Sequence, residues 1–133
     1  MPLDHQVDEE ENVLVSRATG VLDAATLLSH MENVRSEARL RPGFRSFVDL
    51  SGADLCQLDA NTVRRAAEVT RGFDRGQEPV RVAVLAPTDV AFGLARMYAA
   101  LVESLQREVR VFREADAARA WLGIAKPEGD LAG

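Results

Sequence analysis

The sequence predicts a single α/β domain: a mostly parallel sheet of four or five strands, an antiparallel hairpin at its start, and about four helices. Three observations carry that reading. Short runs rich in β-branched residues alternate along the chain with longer stretches of helical periodicity. Changes of period coincide with Gly, Pro or a residue able to cap a helix. Val80 to Ala86 is almost wholly apolar, the pattern of a strand covered on both faces. The 133 residues leave room for one domain. A chain of this size buries about two thirds of the surface its unfolded form exposes, so it needs neither disulfides nor a metal to fold.

The elements follow in order. Leu3 to Val7 and Val13 to Ala18 form a hairpin around the acidic turn Asp8-Glu9-Glu10-Glu11-Asn12, and Gly20 ends the second strand. Asp23 caps the first helix. Its Ala24, Leu27, Leu28, Met31, Val34 and Ala38 share one stripe, and Pro42-Gly43 stops it. Phe44 to Leu50 is the next strand, with a turn at Ser51-Gly52-Ala53-Asp54. Asp59 caps the second helix, which turns Val63, Ala66, Ala67, Thr70 and Phe73 inward and ends near Gly72 and Gly76. After the strand Val80 to Ala86, Pro87-Thr88-Asp89 opens a third helix with Val90, Leu94, Met97, Tyr98, Leu101 and Leu105 as its core stripe. Val109 to Phe112 is the last strand. Glu114 or Asp116 starts a short helix carrying Ala115, Ala118, Trp121 and Leu122, with Gly123 as a left-handed cap. Residues 1–11 are an N-terminal segment with a candidate edge strand, 12–123 the domain, and 124–133 a flexible tail. The crossovers are expected to be right-handed.

Charge narrows the function classes. A net charge of −5 repels phosphate backbones and anionic lipid, so nucleic acid is not an expected partner. The N-terminal stretch is acidic and lacks an apolar signal region. No apolar run approaches the ~20 residues of a membrane-spanning helix, so no membrane span is expected. The lone Cys56 permits no internal disulfide, and as a buried thiol it fits a reducing compartment. The expected address is the cytoplasm.

Open α/β sheets place ligands where strands end and helices begin. Here that edge collects Asp49, Ser51, Asp54, Asp59, Asn61, Thr62, Thr88 and Asp89 as candidate ligand or partner residues. Capping occupies Asp59, Thr88 and Asp89. The five-residue spacing of Asp49, Asp54 and Asp59 matches no cation loop, so a solvated acidic edge is expected and no metal site. Nucleophilic catalysis needs a nucleophile, a base and an orienting group. His5 falls in the N-terminal segment, His30 borders the first helix's apolar stripe, and the acidic neighbours of Cys56 raise its thiol pKa. Gly72 to Gly76 follows a helix, the wrong context for a phosphate loop. No catalytic residue and no cofactor are assigned. On the third helix, Phe92, Ala95, Arg96, Ala99, Val102 and Glu103 fall opposite the core stripe. An apolar strip there reads as a contact surface, most simply that of a homodimer.

Phe47-Val48-Asp49-Leu50-Ser51-Gly52, a short loop, Asp59 and a helix together resemble the centre of STAS domains, the anti-sigma-factor-antagonist fold. From about Asn12 to Gly123 the chain is similar to the SpoIIAA-like family, also described as STAS/SEC14-like. The supporting segments are Gly20-Val21-Leu22-Asp23, Val82 to Pro87, Phe92 to Tyr98, and Val111-Phe112-Arg113 through Ala120-Trp121-Leu122. The resemblance implies a four- or five-stranded sheet with helices packed on it. In antagonist members an Asp-Ser pair at the start of the second helix carries the phosphorylated serine. The matching stretch here is Asp59-Ala60-Asn61-Thr62, with Ala60 at the serine position and no glycine following. The resemblance therefore implies a non-catalytic regulatory or protein-interaction module without that phospho-switch. Its SEC14 side implies a carrier or sensor with a small pocket for an apolar or lipid-like ligand. An enzyme using the aspartate-rich edge is the third reading.

Overall fold

A computed structural model of the chain describes residues 3–73, 79–105 and 107–124. Five strands form one sheet in sequential order: β1 (Leu3–Asp8), β2 (Val13–Val21), β3 (Arg45–Asp54), β4 (Val80–Leu85) and β5 (Arg107–Phe112). β1 pairs antiparallel with β2, and the remaining neighbours are parallel. The helices are α1 (Ala24–Arg35), α2 (Ala60–Phe73), α3 (Asp89–Leu101) and α4 (Ala115–Leu122). The predicted class and element order are those found.

Sequential strand order has a geometric consequence. When every crossover has the same hand and steps in the same direction, the connecting helices fall on one face. α1, α2 and α3 accordingly pack side by side on one face, and α4 covers β3 to β5 on the other. The period of two along β4 sorts its side chains: Val82 and Val84 enter the α1–α3 core, Ala83 and Leu85 the α4 core.

Local chemistry fixes most boundaries. Asn12 turns the hairpin at φ 56°, a left-handed conformation that asparagine tolerates. The Asp23 carboxylate accepts the Thr26 N–H at 2.8 Å, and the Thr88 hydroxyl oxygen accepts the Ala91 N–H at 3.2 Å. Gly123 closes α4 at φ 72°.

Several expectations are corrected. α1 stops at Arg35, short of Pro42-Gly43, so Ala38 lies beyond it and is exposed. Beyond the helix, Glu37 binds the Arg39 backbone N–H at 3.2 Å and its Nε at 2.8 Å, local bonds that compete with helix continuation. β3 runs past Leu50 to Asp54 because its end stays paired with Thr19, Gly20 and Val21 of β2. Gly72 lies inside α2; Gly76 and residues 125–133 of the expected tail lie outside the described residues. Cys56 is exposed, not buried, and a hydrogen bond with Asp54 holds its thiol above the usual range.

The largest correction concerns α3. Val90, assigned to the core, is 59% exposed, whereas Ala95 and Val102, assigned to the outer face, are 8% and 0% exposed. Small side chains let the helix approach the sheet closely, so its inner face is marked by alanine and not by bulk. Phe92 packs against the same core, with the Arg113 and Arg96 guanidinium groups 4.3 Å and 5.7 Å from its ring centroid. The expected outward strip is thereby reduced to the half-buried Ala99 and the exposed Arg96 and Glu103, with no exposed apolar side chain among them.

Among the described residues, no helix is long and apolar enough to cross a membrane.

Candidate functional site

A strand edge becomes a ligand crevice where strand order reverses and neighbouring connections leave toward opposite faces. The monotonic order here has no reversal of strands, and only past β4 and β5 do the chain's exits diverge, to α3 and α4, where Arg113 donates to the Pro87 carbonyl at 3.1 Å. The edge residues instead complete local structure. Asp49, in register with Leu85, accepts the Ser51 N–H at 2.9 Å and hydroxyl at 2.6 Å, and Arg17 Nε at 3.3 Å. Asp59 accepts both the N–H and the hydroxyl of Thr62, at 2.9 and 3.1 Å, which holds its carboxyl below the usual range. Thr88 is the α3 cap, Asp89 pairs with Arg113 at 2.9 Å, and Asn61 is exposed in the first turn of α2. Among the described residues no group of three or more His, Cys, Asp and Glu is placed to hold a metal ion.

The space lies inside the fold. Between the sheet and the three-helix layer is a cavity of about 190 Å³. Its floor is Leu14 and Ser16 of β2, Ser46, Val48 and Leu50 of β3, and Val82 and Val84 of β4. α1 covers it with Leu27, His30, Met31 and Val34, while α2 contributes Val63 and Ala66 and α3 contributes Ala91, Leu94, Ala95 and Tyr98. The alanines that bring α3 close to the sheet also leave volume unfilled. α1 has no fully buried residue, although its apolar stripe faces inward, because part of what lies beneath it is empty space. The Tyr98 hydroxyl is not a loose polar end: it is 2.6 Å from the hydroxyl of Thr70.

The polar residues of the wall are Ser16, Ser46, His30, Tyr98 and Arg107, and His5 of β1 stands behind the Ser16–His30 pair without lining the space. Antiparallel register places His5 of β1 opposite Ser16 of β2, so both point toward α1. His30 descends from α1 onto this pair. Its Nε2 lies 3.0 Å from Ser16 Oγ, and its ring meets that of His5 edge-on at 5.4 Å. His5 Nε2–H donates to Glu37 at 3.3 Å. Burial, reinforced by His5 and opposed by Asp4, lowers His30 to about 4, so it is neutral near pH 7. The Arg39 bonds lower the Glu37 carboxyl to about 2.

Sequence reasoning leaves Ser16 unflagged and puts His5 in a peripheral segment. The signal was present in two parts. His5 and Ser16 are cross-strand partners once the hairpin is counted back from its turn, and His30 stands three residues after Leu27 and four before Val34, inside the apolar stripe.

The architecture is a SpoIIAA-like fold, as the sequence resemblance implies. A solved structure of an uncharacterized protein of the DUF3478 family with a SpoIIAA-like fold, from Shewanella loihica PV-4, is similar with a TM-score of 0.57. The match covers 90% of this chain and 93% of that one at 14% sequence identity, a likeness of fold. No protein-family model matches the sequence, and no curated protein is significantly similar to it.

Proposed function

We propose that the chain is a non-catalytic STAS-type module that carries or senses a small apolar ligand, held between the sheet and α1–α3. The single observation behind this reading is the cavity of about 190 Å³, walled mainly by apolar side chains. A cavity of ~150 Å³ with such walls stays dry and takes up benzene. By that standard the occupant has about eight non-hydrogen atoms, a single ring or short chain and not a whole lipid. A phosphorylation switch at the start of α2 fits less well. Ala60 has no hydroxyl, and Thr62 is 4% exposed with its own hydroxyl donated to Asp59.

Titration with p-xylene, followed by amide NMR shifts, tests the reading. Saturable shifts are expected at residues lining the cavity, Val48, Val84 and Leu94 among them, with binding lost in Ala95→Leu, which fills the space. Absence of saturable binding by the wild type overturns the proposal. Native mass spectrometry of the purified chain gives a second view, as a retained small molecule released on unfolding.

A further inference from the structure

We propose that the Ser16–His30 pair is a polar handle for the ligand's head group, so that the cavity selects a neutral hydroxylated molecule, a phenol or short-chain alcohol, over an equally sized hydrocarbon or carboxylate. This rests on the ligand-binding reading above and goes further by naming the chemistry that orients the occupant.

Ser16 is 2% exposed and, with His30, forms a hydrogen-bonded polar pair in a largely apolar wall whose other polar residues are Ser46, Tyr98 and Arg107. A hydroxyl has one proton to donate and two lone pairs. When Ser16 donates to His30 Nε2, its lone pairs can accept from a ligand hydroxyl; in the other imidazole tautomer, Ser16 accepts from His30 and can donate to the ligand. The pair is therefore matched to a group that both donates and accepts. An alkyl group there leaves that capacity unused. Charge sets the second preference. His30 is neutral near pH 7, and the groups around it are His5, its partner Glu37, and Asp4. None of the carboxylates helps an anion, and burying an unpaired carboxylate is costly. Arg107 also lines the cavity. The pairing registers put it three strands across and four residues along from Ser16, roughly 20 Å by strand spacing and rise. It cannot serve a head group held at Ser16.

Three probes of similar size separate these cases: p-cresol, p-xylene and benzoate, titrated by NMR against the wild type, Ser16→Ala and His30→Phe. One net hydrogen bond corresponds to a preference of about three- to tenfold for p-cresol over p-xylene beyond their difference in transfer from water. That excess should collapse in both variants while p-xylene still binds them. Benzoate should bind the wild type more weakly than p-cresol. If p-xylene binds but the p-cresol preference is the same in all three proteins, the handle is wrong and the apolar site stands. If benzoate binds more tightly than p-cresol, the head group is an anion, and the neutral-head assignment is overturned. If no probe binds the wild type, the cavity reading itself fails.

Discussion

The two faces of the sheet solve the same problem differently. On one face the eight residues of α4 bury Ala118 and Leu122 against Phe47, Ala83 and Leu85. Trp121 packs on Phe112 with ring centroids 5.8 Å apart and lies beneath the Arg81 guanidinium at 4.8 Å. The end of this helix is tied down. Arg45 donates to the Leu122 and Gly123 carbonyls at 3.0 and 3.2 Å, and Arg81 to the Trp121 carbonyl at 3.2 Å. These bonds satisfy carbonyls that a helix C-terminus leaves free, and put positive charge where the helix dipole favours it. On the other face the twelve residues of α1 carry four large apolar side chains, Leu27, Leu28, Met31 and Val34, against the two of α4, yet none is fully buried. Length and apolar content do not decide how well a helix packs; filled volume beneath it does. A fold that fills one face and leaves space on the other has room for a ligand on only one of them.

That contrast is sharpest under truncation. Leu122→Ala, in the filled core, should cost about 2–5 kcal/mol. Leu27→Ala, on the half-buried stripe of α1, should cost about 1 kcal/mol. Denaturant midpoints of the two variants measure the difference, and equal losses would mean that α1 is packed as tightly as α4.

Enlargement reverses the sign. Ala118 is fully buried against α4's own core, so Ala118→Leu should overpack it and cost about 1–3 kcal/mol. Ala95 borders the cavity, so Ala95→Leu should leave stability unchanged or raise it by about 1 kcal/mol. Thermal melts of both proteins decide it. A large loss in Ala95→Leu would show that the space beside α3 cannot take three more carbons.

What the sequence discloses follows the range of the interactions. The hairpin, the caps at Asp23, Asp59 and Thr88, and the Gly123 terminus depend on residues within a few positions of each other, and all are legible. The phase of α3 is not, because a stripe read by bulk favours Val90 over Ala91 and Ala95, and only the closeness of the sheet reverses that order. The cavity is still less legible, since it is a mismatch of volumes summed over the sheet and three helices. The Ser16–His30 contact needs both a strand register and the placement of a helix above it. Cap chemistry likewise explains why the aspartate-rich edge, conspicuous in sequence, is occupied with local structure in the fold.

The His30 environment predicts a pH effect confined to the cavity face. Its pKa falls from an unfolded 6.5 to about 4 in the fold. Between these values the unfolded chain takes up a proton that the folded chain does not, so stability is complete above pH 6.5 and declines as pH falls toward 4. Between pH 6.5 and 4.5, after discounting for solvent screening on the exposed side of the ring, the loss assigned to His30 is on the order of 1–2 kcal/mol. The stabilisation from Glu37 is lost between its unfolded 4.5 and about 2, so it meets this window only at its lower edge. His30→Gln should remove this part of the decline, as read from denaturant midpoints across the window. An identical decline in wild type and variant would place the effect on other groups.

The smallest effect belongs to the start of α2, where local chemistry alone is at stake. Asp59 accepts the Thr62 N–H at 2.9 Å and the Thr62 hydroxyl at 3.1 Å, so its carboxylate satisfies one of the free donors of the helix start. Asparagine retains an oxygen able to do the same, and alanine does not. Asp59→Ala should therefore cost about 1 kcal/mol, and Asp59→Asn only a few tenths. The Thr62 interaction lowers the Asp59 carboxyl below its usual range, so its stabilisation is present above the unfolded carboxylate range and fades as pH falls through the lowered value. The Asp59→Ala penalty should accordingly shrink at acidic pH. Neither substitution reaches the cavity wall, so p-xylene affinity should be unchanged in both. A fall in affinity in Asp59→Asn at full stability would return the strand edge to the ligand site.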